Sequence, residues 1–228
     1  MLVIFDCDGV LVESESLAAT AFSQLLARSH IHLTPAQCEA LFVGKTLTHC
    51  MDELHQTYPG RLPQSFRLSL DQLSDELFAQ HLQAVQGVEP VLNALHQRGI
   101  QRAVASNGGW NKVHKNLQHT GLGHYFGANI FSAEHVAEPK PAPDVYLAAA
   151  EALGVPSQFC CVIEDSDLGA KAGLAAGMRV LLFRPNWRTH HTPPPAGVEL
   201  FSEMHQVLEL LFEPKNLSRS RYGFSCGF

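Results

Sequence analysis

The stretch Leu-Val-Ile-Phe-Asp-Cys-Asp-Gly-Val, residues 2–10, decides the fold of this chain. Its first four residues are apolar and predict a buried strand, and two acids, Asp6 and Asp8, follow directly. In an extended chain, residues two apart point to the same side, so both carboxylates can converge while Cys7 faces away. Such a pair suits a nucleophile and a proton donor. A calcium-binding turn is the alternative, but the oxygen-ligand spacing of an EF-hand loop is absent from this segment.

The rest of the chain alternates short apolar runs with helical patterns that Gly and Pro residues bound, as expected for crossover helices between parallel strands. The predicted strands are 2–5, 102–106, 129–132, 159–163 and 178–183. The predicted helices between them are 88–98, 111–119, 144–153 and 168–176. Strands this uniformly apolar need helices on both faces of the sheet. The fold class is therefore α/β, with a doubly wound parallel sheet.

Residues 13–85 interrupt this alternation, because they carry helical periodicity and no convincing strand. Thr34, Pro35 and Gln37 predict a helix start, in which the Thr and Gln side chains cap each other's backbone N–H groups. A long helical segment at 65–86 then leads back to the sheet. We expect three units, which are an inserted all-helical domain at 13–85, a core domain formed by 1–12 and 86–213, and a flexible tail at 214–228.

Two further polar segments follow predicted strands or begin a helix, at the sheet edge where open α/β sheets place their ligands. Ser106 and Asn107 lie in a Ser-Asn-Gly segment whose hydroxyl and backbone N–H groups could hold phosphate oxygens, although such a segment is also a common turn. Lys140 stands between Pro139 and Pro141, which lower the cost of ordering it. A fixed ammonium group suits an anion, and the alternative is a solvated loop lysine.

Glu164 and Asp165 end another apolar run, and they add two carboxylates to the same edge of the predicted sheet. Facing Asp6 and Asp8, they would repel strongly unless a cation lay among them. Oxygen-only ligands indicate Mg2+ rather than zinc. We expect Asp165 to be a direct ligand, and Glu164 to be either a second ligand or the holder of a metal-bound water.

Charge and composition argue against several classes of protein. The formal net charge is −6 with His counted neutral, and no run of Lys and Arg lies on a predicted helix face, so nucleic-acid binding is not expected. No apolar stretch approaches the roughly 20 residues that cross a bilayer, and the N-terminus lacks the basic flank of a signal peptide. We therefore expect a cytoplasmic protein without membrane partners, either monomeric or weakly homo-oligomeric.

Four short motifs resemble, in this chain order, those of the haloacid dehalogenase superfamily, and they are Asp6-x-Asp8, Ser106, Lys140 and Glu164-Asp165. The resemblance extends to residues 5–11, 140–144 and 162–177, and with the helical insertion it covers the chain to about residue 212. It implies a Rossmann-like core with a helical cap that opens and closes over the strand ends. The chain looks like subfamily I proteins with a helical C1 cap, in the β-phosphoglucomutase-like phosphatase branch.

Carried over to the matching positions, the resemblance makes Asp6 the nucleophile that forms an aspartyl-phosphate, and Asp8 the general acid and base. The backbone carbonyl of Asp8 would join Asp6 and Asp165 on Mg2+. Phosphoryl oxygens would be bound by Ser106, Asn107 and Lys140.

The resembled family also places a Gly-Lys or Gly-Arg element of the cap over the site, where it helps choose the substrate. Gly44-Lys45-Thr46 matches that element, so Lys45 and Thr46 are candidate substrate-binding residues, and the alternative is an exposed helix start. A nucleotide-binding P-loop is not indicated, because Glu39 stands where that motif requires Gly.

These expectations describe a Mg2+-dependent phosphatase of a small phosphorylated metabolite, such as a sugar or sugar-acid phosphate, with 6-phosphogluconate as one candidate. The nearest alternative is a phosphomutase similar to β-phosphoglucomutase, but that branch typically carries a His twelve residues after the nucleophile, where this chain has Ala18. The acids Asp8, Glu164 and Asp165 argue against dehalogenation, and Lys45 alone is thin support for phosphonate hydrolysis. A catalytically silent binding module is a further alternative, which would gain nothing from carboxylates that repel each other.

Overall fold

The computed structural model describes residues 1–42, 47–186, 188 and 192–212. Its strands are β1 (Leu2–Phe5), β2 (Gln101–Ser106), β3 (Ile130–Ser132), β4 (Cys160–Glu164), β5 (Arg179–Phe183) and β6 (Glu199–Phe201). Its helices are α1 (Glu15–Arg28), α2 (Pro35–Phe42), α3 (Leu47–Thr57), α4 (Phe66–His81), α5 (Val88–Gln97), α6 (Trp110–His119), α7 (Asp144–Ala152), α8 (Asp167–Ala175) and α9 (Gln206–Phe212).

The strands form one sheet in the order β3-β2-β1-β4-β5-β6, and every pair in it is parallel. This confirms the predicted α/β fold class. The sequence does not predict β6, because this edge strand has three residues and one of them, Leu200, is exposed rather than buried. The chain runs from β1 outward to β3 and then returns to place β4 on the other side of β1. The carboxyl ends of β1 and β4 therefore border the crevice where sheets of this topology bind ligands.

Successive residues of β1 enter two separate cores, one on each face of the sheet. Val3 and Phe5 pack with Cys7 against α5, α6 and α9, whereas Leu2 and Ile4 pack against α7 and α8. This alternation follows from the two-residue period of a strand. The sheet is therefore covered by helices on both faces, as the uniformly apolar strands predict.

The helices α1 to α4 share a third hydrophobic cluster of their own. The predicted start of α2 is confirmed, because Thr34 N–H donates to Gln37 Oε1 at 2.8 Å and Gln37 N–H donates to Thr34 Oγ1 at 3.2 Å. Residues 13–85, as far as they are described, hold these helices and no named strand. The domain boundaries themselves stay a prediction, and the predicted tail at 214–228 lies outside the described residues. No helix among the described residues is both long and apolar enough to cross a membrane.

Candidate active site

The loop after β1 brings the first acidic motif against the end of β4. The Asp6 N–H donates to the Ile163 carbonyl at 2.9 Å, which continues the pairing of the two strands by one residue. Gly9 has a φ of +80°, and a Cβ at this position would lie 2.0 Å from Asp165 Oδ2. A side chain is therefore excluded twice, by backbone conformation and by lack of space. The close approach places Asp165 directly beside the Asp6–Gly9 loop.

Lys140 links Asp6, which follows β1, to Glu164 at the end of β4. Its Nζ lies 2.6 Å from Asp6 Oδ1, 2.8 Å from Glu164 Oε1 and 2.9 Å from the Ala105 carbonyl oxygen. Three acceptors satisfy the three N–H groups of the ammonium. The Lys140 and Glu164 side chains are only 3% and 1% exposed, so these ion pairs form in an environment with little water. Lys140 is therefore held in one position with its charge shared between two carboxylates.

Neighbouring side chains fix Lys140 in turn. Asn107 makes a reciprocal pair with the Lys140 backbone, because Asn107 Oδ1 accepts from its N–H at 2.9 Å and Asn107 Nδ2 donates to its carbonyl at 3.2 Å. The ring of Tyr146 lies under the ammonium, with its centroid 4.7 Å from Nζ. The structure thus engages both amide atoms of Asn107, a predicted phosphate ligand, in holding the Lys140 segment.

Glu164 has protein donors on both of its carboxylate oxygens. Oε1 accepts from Lys140 and from the Tyr146 hydroxyl, and Oε2 accepts from the N–H groups of Asp165 and Ser166 at 2.9 and 2.8 Å. The helix α8 starts so close that a Cβ on Gly169 would lie 1.7 Å from Glu164 Oε1. Because protein donors engage both of its oxygens, Glu164 is an anchor for Lys140. Its predicted role as a second metal ligand or as the holder of a metal-bound water stays a prediction.

Burial controls the ionisation of Asp6. It raises the pKa of Asp6, the nearby Lys140 lowers it and Glu164 raises it again, and the resulting value is about 7. Burial by itself would lower the pKa of Lys140, but Asp6 and Glu164 outweigh it and hold that pKa well above its ordinary value. Lys140 therefore stays charged, while Asp6 is easily protonated near neutral pH.

Asp8 lies in a more open environment on the side of the helical insertion. Its Oδ1 accepts from the Ser14 hydroxyl at 2.5 Å, and its Oδ2 lies 2.9 Å from Lys112 Nζ, on α6. Its side chain is 28% exposed. Burial raises the pKa of Asp8, but Lys112 and the Ser14 hydrogen bond outweigh burial, so the pKa is lower than usual. The pKa values of Asp6 and Asp8 are thus shifted in opposite directions, although only one residue separates the two acids.

Asp165 faces a different cation. Its Oδ2 lies 2.7 Å from Nη1 of Arg188, which follows β5 and also reaches Glu15 at 3.4 Å and Glu13 at 3.7 Å. Burial raises the pKa of Asp165 well above its usual value, with further increases from Glu15, Glu164 and Asp6 that Arg188 opposes only in part. Among the described residues around Arg188, three carboxylates share one guanidinium, and their mutual repulsion favours an additional positive charge.

The residues at the end of β1 and β4 fit a hard divalent cation. Among the described residues, no three His, Cys, Asp or Glu side chains are already arranged around a metal position, and Asp165 is paired with Arg188. The donors are nevertheless those that Mg2+ prefers, because Asp6, Asp165 and the Asp8 carbonyl all offer oxygen. Burial is the main cause of the raised pKa values of Asp6 and Asp165, with smaller increases from neighbouring carboxylates, and a divalent cation would stabilise the ionised form of both.

The remaining predicted site residues divide into those that the structure brings to the site and those outside the described residues. Ser106 ends β2 with its side chain buried, and its Oγ accepts from the Gly108 N–H at 3.0 Å. Lys45 and Thr46 lie outside the described residues. Sequence reasoning missed four residues that contact the motifs, and they are Ser14, Lys112, Tyr146 and Arg188.

Comparison with known proteins gives the family. A family model described as haloacid dehalogenase-like hydrolase matches residues 1–177, so the chain belongs to the haloacid dehalogenase-like hydrolases. This confirms the family that the four motifs resemble.

Several relatives are named as phosphatases. A 6-phosphogluconate phosphatase of Escherichia coli (strain K12) is 29% identical over 214 residues, which cover 91% of this chain and 93% of the relative. Hexitol phosphatase A of the same organism is 30% identical over 181 residues, with 78% and 80% covered. The chain is accordingly a hydrolase of phosphoric monoesters.

A solved structure of similar shape comes from Deinococcus radiodurans R1. It is a haloacid dehalogenase family hydrolase with bound phosphate and sodium, and it is 29% identical to this chain with a TM-score of 0.77. The match covers 92% of this chain and 94% of the solved chain. Its similarity supports the same core fold.

Proposed function

We propose that this chain is a Mg2+-dependent phosphatase that hydrolyses a phosphorylated sugar or sugar acid through an aspartyl-phosphate at Asp6. The observation that carries the proposal is the buried Lys140, whose ammonium is shared between Asp6 and Glu164 at 2.6 and 2.8 Å. This arrangement holds one carboxylate oxygen of Asp6 and leaves the other to attack phosphorus. It also keeps a fixed positive charge beside the position of the transferring phosphoryl group.

In the first step, a carboxylate oxygen of Asp6 forms a bond to phosphorus, and the bond from phosphorus to the leaving alcohol breaks. The phosphoryl group passes from the leaving oxygen to Asp6, while negative charge passes from the Asp6 carboxylate to the leaving oxygen. The Ser106 hydroxyl binds a phosphoryl oxygen, and the fixed charge of Lys140 beside Asp6 stabilises the group during the transfer. Glu164 and Asn107 act through Lys140, since they hold its ammonium and its backbone in place.

Asp8 handles the proton in both steps. It donates a proton to the leaving alcohol, and later takes one from the water that attacks the aspartyl-phosphate and releases phosphate from Asp6. The lowered pKa of Asp8 in the free protein suits the second step. The first step needs a protonated Asp8. Substrate binding removes water from around Asp8, which raises its pKa and favours the protonated form.

Mg2+ would be held by Asp6, Asp165 and the Asp8 carbonyl, and when bound it offsets the negative charge of the phosphoryl oxygens. Residues 13–85 would form the cap over this edge of the sheet, as proposed from the sequence. The hydrophobic cluster of α1 to α4 supports a cap with a core of its own, and Phe78, Ala18 and the Lys115–Asp75 ion pair connect it to the core domain.

The named relatives support the substrate class. One is a 6-phosphogluconate phosphatase and another a hexitol phosphatase, and both names describe phosphate esters of six-carbon compounds. Ala18 supports hydrolysis over phosphoryl transfer to a second hydroxyl, because it lies in α1, where it packs as an apolar residue against the core and offers no polar group.

Phosphate release from a panel of sugar and sugar-acid phosphates with Mg2+ tests the proposal. We expect release from at least one substrate, and a loss of about 1000-fold or more in Asp6→Asn. Asp71→Asn, the same change at an exposed aspartate of α4, is the matched control and should keep full activity. No release from any substrate, or equal release from Asp6→Asn, would refute the proposal. Conversion of a hexose 1-phosphate to its 6-phosphate without free phosphate would favour the mutase alternative.

A further inference from the structure

Lys112 lies beside Asp8, and the proposed mechanism gives it no contact with the substrate. It lies in the first turn of α6, and its Nζ is 2.9 Å from Asp8 Oδ2 and 5.6 Å from the ring centroid of Phe78 on α4. Its side chain is 40% exposed. The ammonium therefore lies beside both Asp8, which would donate the proton to the leaving alcohol, and α4 of the proposed cap.

Two other cations that the structure describes at the site, Lys140 and Arg188, are already engaged with carboxylates. Lys140 is buried against Asp6 and Glu164, and Arg188 lies within 4 Å of three carboxylates with a side chain only 12% exposed. Among the described residues, Lys112 pairs directly with Asp8 alone. An ammonium has three N–H donors, so Lys112 keeps hydrogen-bonding capacity for a ligand.

Lys112 is also not needed to join α6 to α4. One turn further along α6, Lys115 makes that connection through an ion pair with Asp75 at 2.7 Å. The two lysines therefore have different ion-pair partners, since Lys115 pairs with Asp75 of the helical insertion and Lys112 pairs with Asp8 of the first motif.

We propose that Lys112 binds a carboxylate on the leaving part of the substrate, so that the enzyme prefers phosphorylated sugar acids to polyol phosphates of the same length. This inference rests on the proposed phosphatase function and names the substrate class of the same site. Neutral side chains are sufficient to form hydrogen bonds with the hydroxyl groups of a polyol. A carboxylate gains a charge-assisted hydrogen bond from an ammonium, which is about twice as strong as a neutral one.

Two matched substrate pairs test this preference, 6-phosphogluconate against sorbitol 6-phosphate and 3-phosphoglycerate against glycerol 3-phosphate. Within each pair, only a carboxylate is exchanged for a CH2OH group. We expect the wild-type protein to have the higher kcat/KM for the acid of at least one pair. Lys112→Met should lower the acid-to-polyol ratio of kcat/KM about 10-fold, which corresponds to the loss of one such hydrogen bond. Lys112→Arg should keep most of the preference.

Lys115→Met is the matched control, since it removes the same charge from the same helix, and its ratio should equal that of the wild type. The inference is overturned if the wild type shows no preference for the acid in either pair. It is equally overturned if Lys112→Met lowers both members of a pair by the same factor, because Lys112 would then act only on Asp8.

Binding measurements separate this inference from the proposed function. Calorimetric titration with gluconate and with sorbitol, in the presence of Mg2+, detects carboxylate recognition without turnover. Tighter binding of gluconate that Lys112→Met abolishes supports the inference, and gluconate binding that is absent or unchanged in the variant contradicts it. Failure of the proposed function has another signature, which is the absence of phosphate release from every substrate.

Discussion

Two lysines bind the two aspartates of the first motif, and their surroundings differ sharply. Lys140 is 3% exposed and holds Asp6 together with Glu164, whereas Lys112 is 40% exposed and holds Asp8. The pKa of Asp6 rises to about 7 in the dry environment, and the pKa of Asp8 falls below its usual value. The buried pair of Lys140 and Asp6 has one fixed geometry, which suits the phosphoryl group that all phosphate esters have in common. The open pair can exchange partners, which suits contact with the variable part of a substrate.

Removing the buried lysine should have the largest effect. Lys140→Met leaves Asp6 and Glu164 facing each other without a cation, and breaking a buried ion pair in this way costs about 3–5 kcal/mol. We expect the free energy of unfolding, measured by urea denaturation in metal-free buffer at pH 7.5, to fall by this amount. Phosphate release should fall to the level of Asp6→Asn.

The exposed lysine Lys115 provides the contrast for that measurement. Its pair with Asp75 is open to water, so Lys115→Met should cost less than about 1 kcal/mol and leave turnover intact. Equal stability losses in the two variants would show that burial does not distinguish the two lysines.

A methyl group at Gly169 should be the next most disruptive change. Its Cβ would overlap Glu164 Oε1 at 1.7 Å, so Glu164 or the start of α8 must move, and overpacking of this kind costs about 1–3 kcal/mol. We expect Gly169→Ala to lower both the melting temperature and kcat. Gly123→Ala, where the nearest atom lies 3.8 Å away, is the control that should change neither. Wild-type kcat in Gly169→Ala would contradict the role of Glu164 as the anchor of Lys140.

Replacing Asp6 by Asn should stabilise the folded protein, whereas replacing Lys140 by Met should destabilise it. Folding raises the pKa of Asp6 from 3.8 to about 7, so the folded protein binds a proton more tightly than the unfolded chain. Ionising Asp6 therefore destabilises the folded state progressively as the pH rises from about 4 to about 7, and this cost is constant above pH 7. Asp6→Asn removes the cost.

We expect Asp6→Asn to raise the melting temperature in metal-free buffer at pH 8 by ~2–4 °C, the shift that about 1 kcal/mol produces in a chain of this size. The gain should shrink as the pH is lowered toward 5. A variant that is less stable than the wild type at pH 8 would show that the pair with Lys140 outweighs the burial of Asp6.

The smallest expected effect concerns Arg188. Its guanidinium lies 2.7 Å from Oδ2 of Asp165, the carboxylate that we expect to bind Mg2+. Because the two cations compete for one carboxylate, Arg188→Gln should tighten Mg2+ binding about threefold to tenfold, measured by calorimetric titration. Arg184→Gln, which removes a guanidinium paired with Asp167, is the control. Weaker Mg2+ binding in Arg188→Gln would mean that Arg188 supports the metal site.

The sequence predicts five of the six strands, because each of these five contains a short run of apolar residues. It also predicts which acids and which lysine meet at the carboxyl ends of the strands, since parallel strands bring those ends together. The edge strand β6 is missed, because three residues with an exposed Leu200 leave no apolar run to recognise.

The partners of the motifs are harder to predict, and the reason lies in the long-range contacts. Lys112 and Asp8 are 104 residues apart, and Arg188 and Asp165 are joined only by how the chain after β5 folds back. Neither pair has a spacing that a sequence pattern can show. One signal was available for Lys112, which lies six residues after Ser106 in the first turn of the following helix, near the same strand ends.

The most direct test of the account is to find where phosphate becomes covalently attached. The protein is mixed with 6-phosphogluconate or another substrate from the panel in the presence of Mg2+, quenched in acid within milliseconds, digested, and analysed by mass spectrometry. We predict a phosphoryl group on Asp6, absent from Asp6→Asn. Phosphate released at full rate without a labelled Asp6, or a label on another residue, would contradict the central claim.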